Sequence, residues 1–249
     1  MYVLGIDTAT KVAGAAIVKD GRIISERFIH NKLTHSQVLL PMVDQVIADA
    51  GITVHELGGI AVTGGPGSFT GLRIGMAFAK TLAQVLQIPV TGVSTLQVLA
   101  ANVLHFEGLI CPILDARKQE VYTCIYRCSG GKLHIIEEAR AMSIENLVEK
   151  LNGTEGSVIF LGDGVPVYFE KIQAILGGRA VQANQLNLYT RAGAVALLGA
   201  EEFRRGEIKG LTEINPVYLR RSEAEITWEK RRGEAENEKA CCHDLRSLG

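Results

Sequence analysis

The 249-residue chain is poor in cysteine, in excess charge and in long apolar runs, and each shortage closes a class of function. Its five cysteines, at 111, 124, 128, 241 and 242, are irregularly spaced and hold no Cys-x-x-Cys pair. A disulfide framework needs regular pairs, so none is expected and a reducing compartment is the default. Lys and Arg number 26 against 27 Asp and Glu, a net charge of −1. Gripping nucleic acid by phosphate neutralisation needs a local basic excess, which no segment before residue 220 supplies. No apolar stretch reaches the roughly 20 residues that span a bilayer. The opening Met1-Tyr2-Val3-Leu4 has no basic region ahead of an apolar run and cleavage site. A cytoplasmic protein with no membrane contact is expected. His30 and His35 are five apart, which does not put two imidazoles on one helix face, and the other histidines are scattered. No metal site is expected.

What is present is a core-forming composition, 47% apolar by residue. The length suits one large domain or two small ones. Tyr2 to Asp7, Val12 to Val18 and Arg22 to Ile29 read as strands, the last two joined by an Asp20-Gly21 hairpin signal. Apolar residues at 38, 39, 42, 43, 46 and 47 predict a helix over 35–50, with Thr34 to Ser36 as cap candidates and Pro41 near its first turns. A strand at 59–63, a helix at 72–86, a strand at 89–93 and a helix from Ser94 or Thr95 follow. The order is α/β with an antiparallel start. A second round then begins: strands at 109–115, 120–126 and 132–136, a helix at 144–151, a strand at 157–161, and helices at 168–176 and 190–204. The two rounds share layout more than letters, which suggests duplication. From Ser222 onward, sparse apolar residues sit among mixed charges, and a solvated tail is expected there.

Three places carry chemistry. The glycine-rich stretch 63–73 joins a strand to a helix, where Gly65, Gly67, Ser68, Gly71 and Arg73 suit either a phosphate cradle or close loop packing. It lacks the Gly-Lys-Ser/Thr ending of a P-loop, and both readings stay open. Asp7-Thr8-Ala9-Thr10 and Asp115-Ala116-Arg117 end the first strand of each round, as paired phosphate-facing turns of a two-lobed phosphotransferase would. The helix 35–50 offers Val38, Leu39, Met42, Val43 and Val46, and the helix 72–86 offers Ile74, Met76 and Phe78. The second helix is apolar nearly all round, so it must be covered on two sides, by its own sheet and by something else. A subunit interface is the functional reading of these side chains, and internal packing the plain one.

These segments together resemble the TsaB (YeaZ) family. The matching residues are Gly5-Ile6-Asp7-Thr8, His35-Ser36 with Leu40-Pro41, Gly65 through Arg73, Pro89 through Ser94, Asp115-Ala116-Arg117 with Glu120-Val121-Tyr122, and Pro216 through Arg220. The resemblance implies an actin-like, Hsp70-like (ASKHA) two-lobed α/β fold, with lobes at 1–103 and 104–221 and a charged tail at 222–249. It implies a subunit without catalysis, cofactor or metal, serving threonylcarbamoylation of the adenosine beside the anticodon (t6A) in tRNAs that read codons starting with A. Expected partners are the catalytic paralogue TsaD, bound through the helices 35–50 and 72–86, the ATPase TsaE, and a second copy of the chain when alone. Contact with tRNA is expected only through the complex. TsaD carries metal-binding imidazoles just after the strand that ends here at Val93. Thr95 and Leu99 stand in their places, and Asp7, Thr8, Asp115 and the glycine loop become a vestigial nucleotide site. Charging Val43 or Met76 is expected to abolish pairing and leave the monomer folded. The alternative is an active nucleotide-dependent phosphotransferase or ATPase of the same fold, with Leu161-Gly162-Asp163-Gly164 as a weak candidate for its adenosine turn.

Overall fold

The computed structural model describes residues 1–31, 33–207 and 210–220. The tail expected over 222–249, with Cys241 and Cys242, lies outside them. Strands β1 (Tyr2–Asp7), β2 (Ala13–Lys19) and β3 (Arg22–Ile29) form an antiparallel meander. Asp20 and Gly21 link β2 to β3 at φ 50° and 79°, the primed geometry that matches strand twist. On its other side β1 pairs in parallel with β4 (Leu57–Gly65), and β4 with β5 (Val90–Ser94).

The second half repeats this plan. Strands β6 (Leu109–Asp115), β7 (Glu120–Ser129) and β8 (Lys132–Ser143) are antiparallel, and β9 (Val158–Leu161) and β10 (Ala180–Gln182) extend the other side of β6 in parallel. The orders β3-β2-β1-β4-β5 and β10-β9-β6-β7-β8 are one topology run in opposite directions. The repeat suggested by layout is therefore a repeat of connectivity. Only β10 has no counterpart in the sequence reading, because three residues are too few to show alternation.

Serine caps start three of the helices. Ser68 Oγ accepts from Gly71 N–H at 3.2 Å before α2 (Phe69–Leu86), Ser94 Oγ from Gln97 N–H at 3.4 Å before α3 (Thr95–Ala100), and Ser143 Oγ from Asn146 N–H at 3.2 Å before α4 (Ile144–Asn152). Each pairs an amide that the first turn leaves free. Helix α1 (His35–Asp49) follows Thr34, whose N–H bonds Gln37 Oε1 at 3.1 Å. Pro41 lies inside α1 rather than in its first turn, and so offers no N–H to the Gln37 carbonyl.

Helices α1 and α2 cover one face of the first sheet, around Leu4, Ile6, Ile60 and Val62. Helices α4 and α5 (Val165–Leu176) cover one face of the second, around Ile113, Val121 and Phe160. The other face of the first sheet is covered by α6 (Ala192–Arg204), which a division at residue 103 places in the second lobe. The reason is its small residues: a Cβ on Gly199 would sit 2.3 Å from the Ala61 Cβ, so the helix lies directly on β4. Residues 1–219 form one compact unit that holds both sheets.

Candidate functional site

Asp7 ends β1 with its side chain wholly enclosed. Its Oδ1 accepts from the Ala9 N–H at 3.1 Å and the Thr63 hydroxyl at 2.9 Å, and its Oδ2 from the Thr190 hydroxyl. Burial pushes the carboxyl above its ordinary value, against the opposing pull of the Thr190, Ala9 and Thr63 hydrogen bonds and of His35. Thr8 is equally engaged. Its N–H points to Thr63 Oγ1 at 3.4 Å, and its Oγ1 donates to the Gly71 carbonyl at 2.8 Å. A carboxylate whose two oxygens are both held by protein donors, out of reach of water, does not present itself to a metal–phosphate group.

The glycine loop explains the enclosure. Ser68 N–H donates to the Ala9 carbonyl at 2.7 Å, so the loop lies on the β1–β2 turn. A Cβ on Gly67 would fall 2.3 Å from the Ala9 oxygen, and one on Gly71 2.0 Å from the Thr8 oxygen. Of the two readings of this stretch, close packing is the one the structure holds, and the volume a phosphate would need beside Thr8 and Ala9 is filled by the loop itself. Gly65 and Arg73 serve the strap 211–219. The Gly64 carbonyl accepts from Val217 N–H at 2.7 Å. The Arg73 guanidinium lies 3.8 Å from the centre of the Phe69 ring and donates from Nε to the Tyr218 hydroxyl at 3.0 Å. Two of the segments that carried the resemblance, 65–73 and 216–220, are thus in contact.

In the second half, Asp115 Oδ1 accepts from Arg117 N–H at 2.9 Å and from the Tyr168 hydroxyl at 3.1 Å, while Asp115 N–H donates to Asp163 Oδ1 at 3.0 Å. Burial pushes the Asp163 carboxyl up, and the Asp115 N–H and the charge of Lys11, from the first turn, pull it back. The candidate adenosine turn is closed: Gly162 N–H donates to the Leu188 carbonyl at 2.8 Å and Gly164 N–H to that of Ile113 at 3.1 Å. Asp7 and Asp115 therefore each tie their own turn to distant parts of the chain, Asp7 to Thr63 and Thr190 and Asp115 to Asp163 and Tyr168. The enclosed Asp7 does not fit a bound nucleotide, whereas Asp115 is half-buried beside the exposed Arg117, Lys118 and Gln119.

Thr95 and Leu99, which the resemblance sets where imidazoles are expected in TsaD, are fully buried. Among the described residues, Thr95 Oγ1 is the buried side-chain oxygen without a hydrogen-bond partner, and no group of three or more His, Cys, Asp or Glu comes together.

The helix residues divide by face. Val38, Leu39, Met42, Val43, Val46 and Met76 are buried in the core beneath α1 and α2, and Ile74 and Phe78 are half-buried against it. This corrects the expectation for Val43 and Met76: both point at the sheet, so a charge there attacks the fold before any partner. The outward face is carried by other residues of the same two helices. Leu40 is 56% exposed and Val85 73%, and Pro41 and Ala77 lie open. For α2 the signal was available in the same periodicity, since its apolar residues extend beyond the one stripe that a sheet face covers. Thr63 and Thr190 had no such signal, being ordinary threonines far from Asp7 in the chain. Among the described residues, no helix is long and apolar enough to cross a membrane.

With this geometry in place, the comparisons are specific. Residues 22–228 match the family model of TsaD, tRNA N6-adenosine threonylcarbamoyltransferase. The TsaB protein of Bacillus subtilis, a tRNA threonylcarbamoyladenosine biosynthesis protein, is 36% identical over 92% of this chain and 98% of its own length. The structure of YeaZ from Pseudomonas aeruginosa superposes with a TM-score of 0.73 at 27% identity, over 88% of this chain and 99% of that one. The dehydratase activator of Clostridium difficile, solved with bound ADPNP, shares the fold alone, with a TM-score of 0.50 at 12% identity over 84% of this chain and 99% of its own. The duplicated mixed sheets are the actin-like, Hsp70-like (ASKHA) architecture.

Proposed function

The chain belongs to the TsaB family of tRNA threonylcarbamoyladenosine biosynthesis proteins, and from that premise we propose that it acts as the non-catalytic subunit that docks and supports TsaD, together with TsaE, in the cytoplasm. The observation that carries this reading is the contrast between its two candidate surfaces. The turn after β1 is closed, with the Asp7 oxygens engaged by Thr63, Thr190 and Ala9. The outer face of α1 and α2 is open and apolar at Leu40, Ala77 and Val85. Exposed apolar side chains on two helices that pack on the same sheet face support a docking surface, with the polar Gln37, Asp44, Thr81 and Gln84 exposed among them. The same face serves a homodimer when TsaD is absent, and tRNA is met only through the complex.

Light-scattering size-exclusion of the chain, alone and mixed with its cognate TsaD, tests this. A one-to-one heterodimer forming at the expense of homodimer is expected. Ala77→Arg and Leu40→Asp, both outside the core, should abolish it and leave the circular dichroism and melting of the monomer unchanged. Undiminished pairing in both variants would sink the assignment of the face. Absence of any association, with ATP and TsaE present, would sink the supporting role itself.

A further inference from the structure

A cavity of about 410 Å³ lies between the two sheets, walled by the ends of β4 and β5, the start of α3, strands β7 and β8, and the strap 213–219. It belongs neither to the strand-end turns nor to the outer helix face. Its volume falls in the range of small-molecule pockets, which are largely apolar with a few convergent polar groups. Deep in the wall are Tyr126 and Cys124, 3% and 1% exposed. Burial pushes both the phenol and the thiol up, so both stay neutral. The ionisable residues that remain in the lining are two glutamates, Glu138 from β8 and Glu213 from the strap, and among the described residues no Lys, Arg or His lines the cavity. Both glutamates are exposed, and among the described residues neither carboxylate has an ion-pair or hydrogen-bond partner. Their neighbour Glu137, by contrast, is paired with Arg140 and Lys150. Two carboxylates at one pocket, with no cation beside them among the described residues, concentrate cations and repel anions.

We propose that this cavity binds a small organic cation, an ammonium or guanidinium group on a short apolar body, with the charged head between Glu138 and Glu213 and the body against Tyr126. Such a ligand bridges both sheets and the strap, and nucleotides are excluded by charge. The site is independent of the docking face, so either can fail without the other.

Calorimetric titration of the full chain with n-butylguanidine, its neutral isostere n-butylurea, and ATP tests the assignment. Saturable one-to-one binding of the guanidine is expected, with the urea weaker by about tenfold or more and no competition from ATP. Glu138→Gln combined with Glu213→Gln should weaken binding by about tenfold without moving the melting temperature. Ala139→Trp, which fills the cavity and keeps both carboxylates, should abolish it. Where that variant fails to fold, Ile135→Trp at the exposed lip replaces it. No saturable binding, equal binding of the urea, displacement by ATP, or full binding by the filled variant would each overturn the proposal.

Discussion

Replacing Asp7 separates a structural carboxylate from a chemical one. Asp7→Ala leaves the Ala9 N–H and the Thr63 and Thr190 hydroxyls without their acceptor in a site closed to water. Each orphaned buried donor costs roughly 1–3 kcal/mol. Thr190 can turn to Thr10 Oγ1, already 3.4 Å away, and removing a buried charge returns part of the cost. The expected net loss is about 2–4 kcal/mol, or a fall in melting temperature of roughly 5–15 °C for a chain of this size. Asp7→Asn keeps the oxygen that serves Ala9 and Thr63 and offers its amide to the Thr190 oxygen, so it should stay within about 1 kcal/mol of wild type. The pH dependence has a definite sign. Because the folded carboxyl lies above its ordinary 3.8, the native state holds the proton more tightly than the unfolded chain. Stability therefore falls as pH rises from the unfolded value through the raised folded one, and is level above it. The Asn variant lacks that slope. Thermal unfolding between about pH 4 and pH 7, beside t6A levels in a strain that depends on the variant, reads both effects. An Asn variant as unstable as the Ala variant would refute the hydrogen-bond argument. One with wild-type melting but no t6A support would refute the structural role and restore a catalytic one.

Gly71→Ala should destabilise by about 1–3 kcal/mol through collision with the Thr8 carbonyl, visible as an earlier urea midpoint at unchanged slope. Thr95→Val should raise the melting temperature, because it removes a buried hydroxyl that has no partner and keeps the shape; an unchanged or lower value would mean that the hydroxyl is satisfied in solution. Glu26→Ala should cost about 2 kcal/mol. It removes the acceptor of Gly193 N–H, at 2.9 Å, and the partner of Arg191 Nη2, at 2.5 Å, so protection of the first amides of α6 from hydrogen exchange should fall with it.

Much of the fold was legible because it is written locally. The Asp20-Gly21 hairpin, the stripe of α1 and the serine at the head of α3 are all contained in a few consecutive residues. What escaped depends on distance along the chain. Nothing near residue 192 says that α6 returns to the first sheet, and nothing near Thr190 says that it closes over Asp7. The glycine loop was ambiguous for a related reason. Glycine permits a phosphate and a carbonyl to approach equally well, and only the position of Ala9 decides between them. Val43 and Met76 were legible as helical stripe residues but not as buried ones, because the apolar positions that define a stripe are those the sheet takes first.

The return of α6 also bears on the order of events at the ribosome. The first sheet is complete in sequence when β5 ends at Ser94, yet the face bearing Val3, Val18, Ala61 and Val93 has only Val98 of α3 to cover it until Val195, Ala196 and Phe203 have been made. At about 5–20 residues per second, that interval lasts roughly 5–20 s. For that time the nascent chain carries a largely uncovered sheet face while it builds an entire second sheet of the same strand order. Chaperones that hold extended apolar surface have their window here, and a ribosome stalled between residues 94 and 192 would display the chain at its most adhesive.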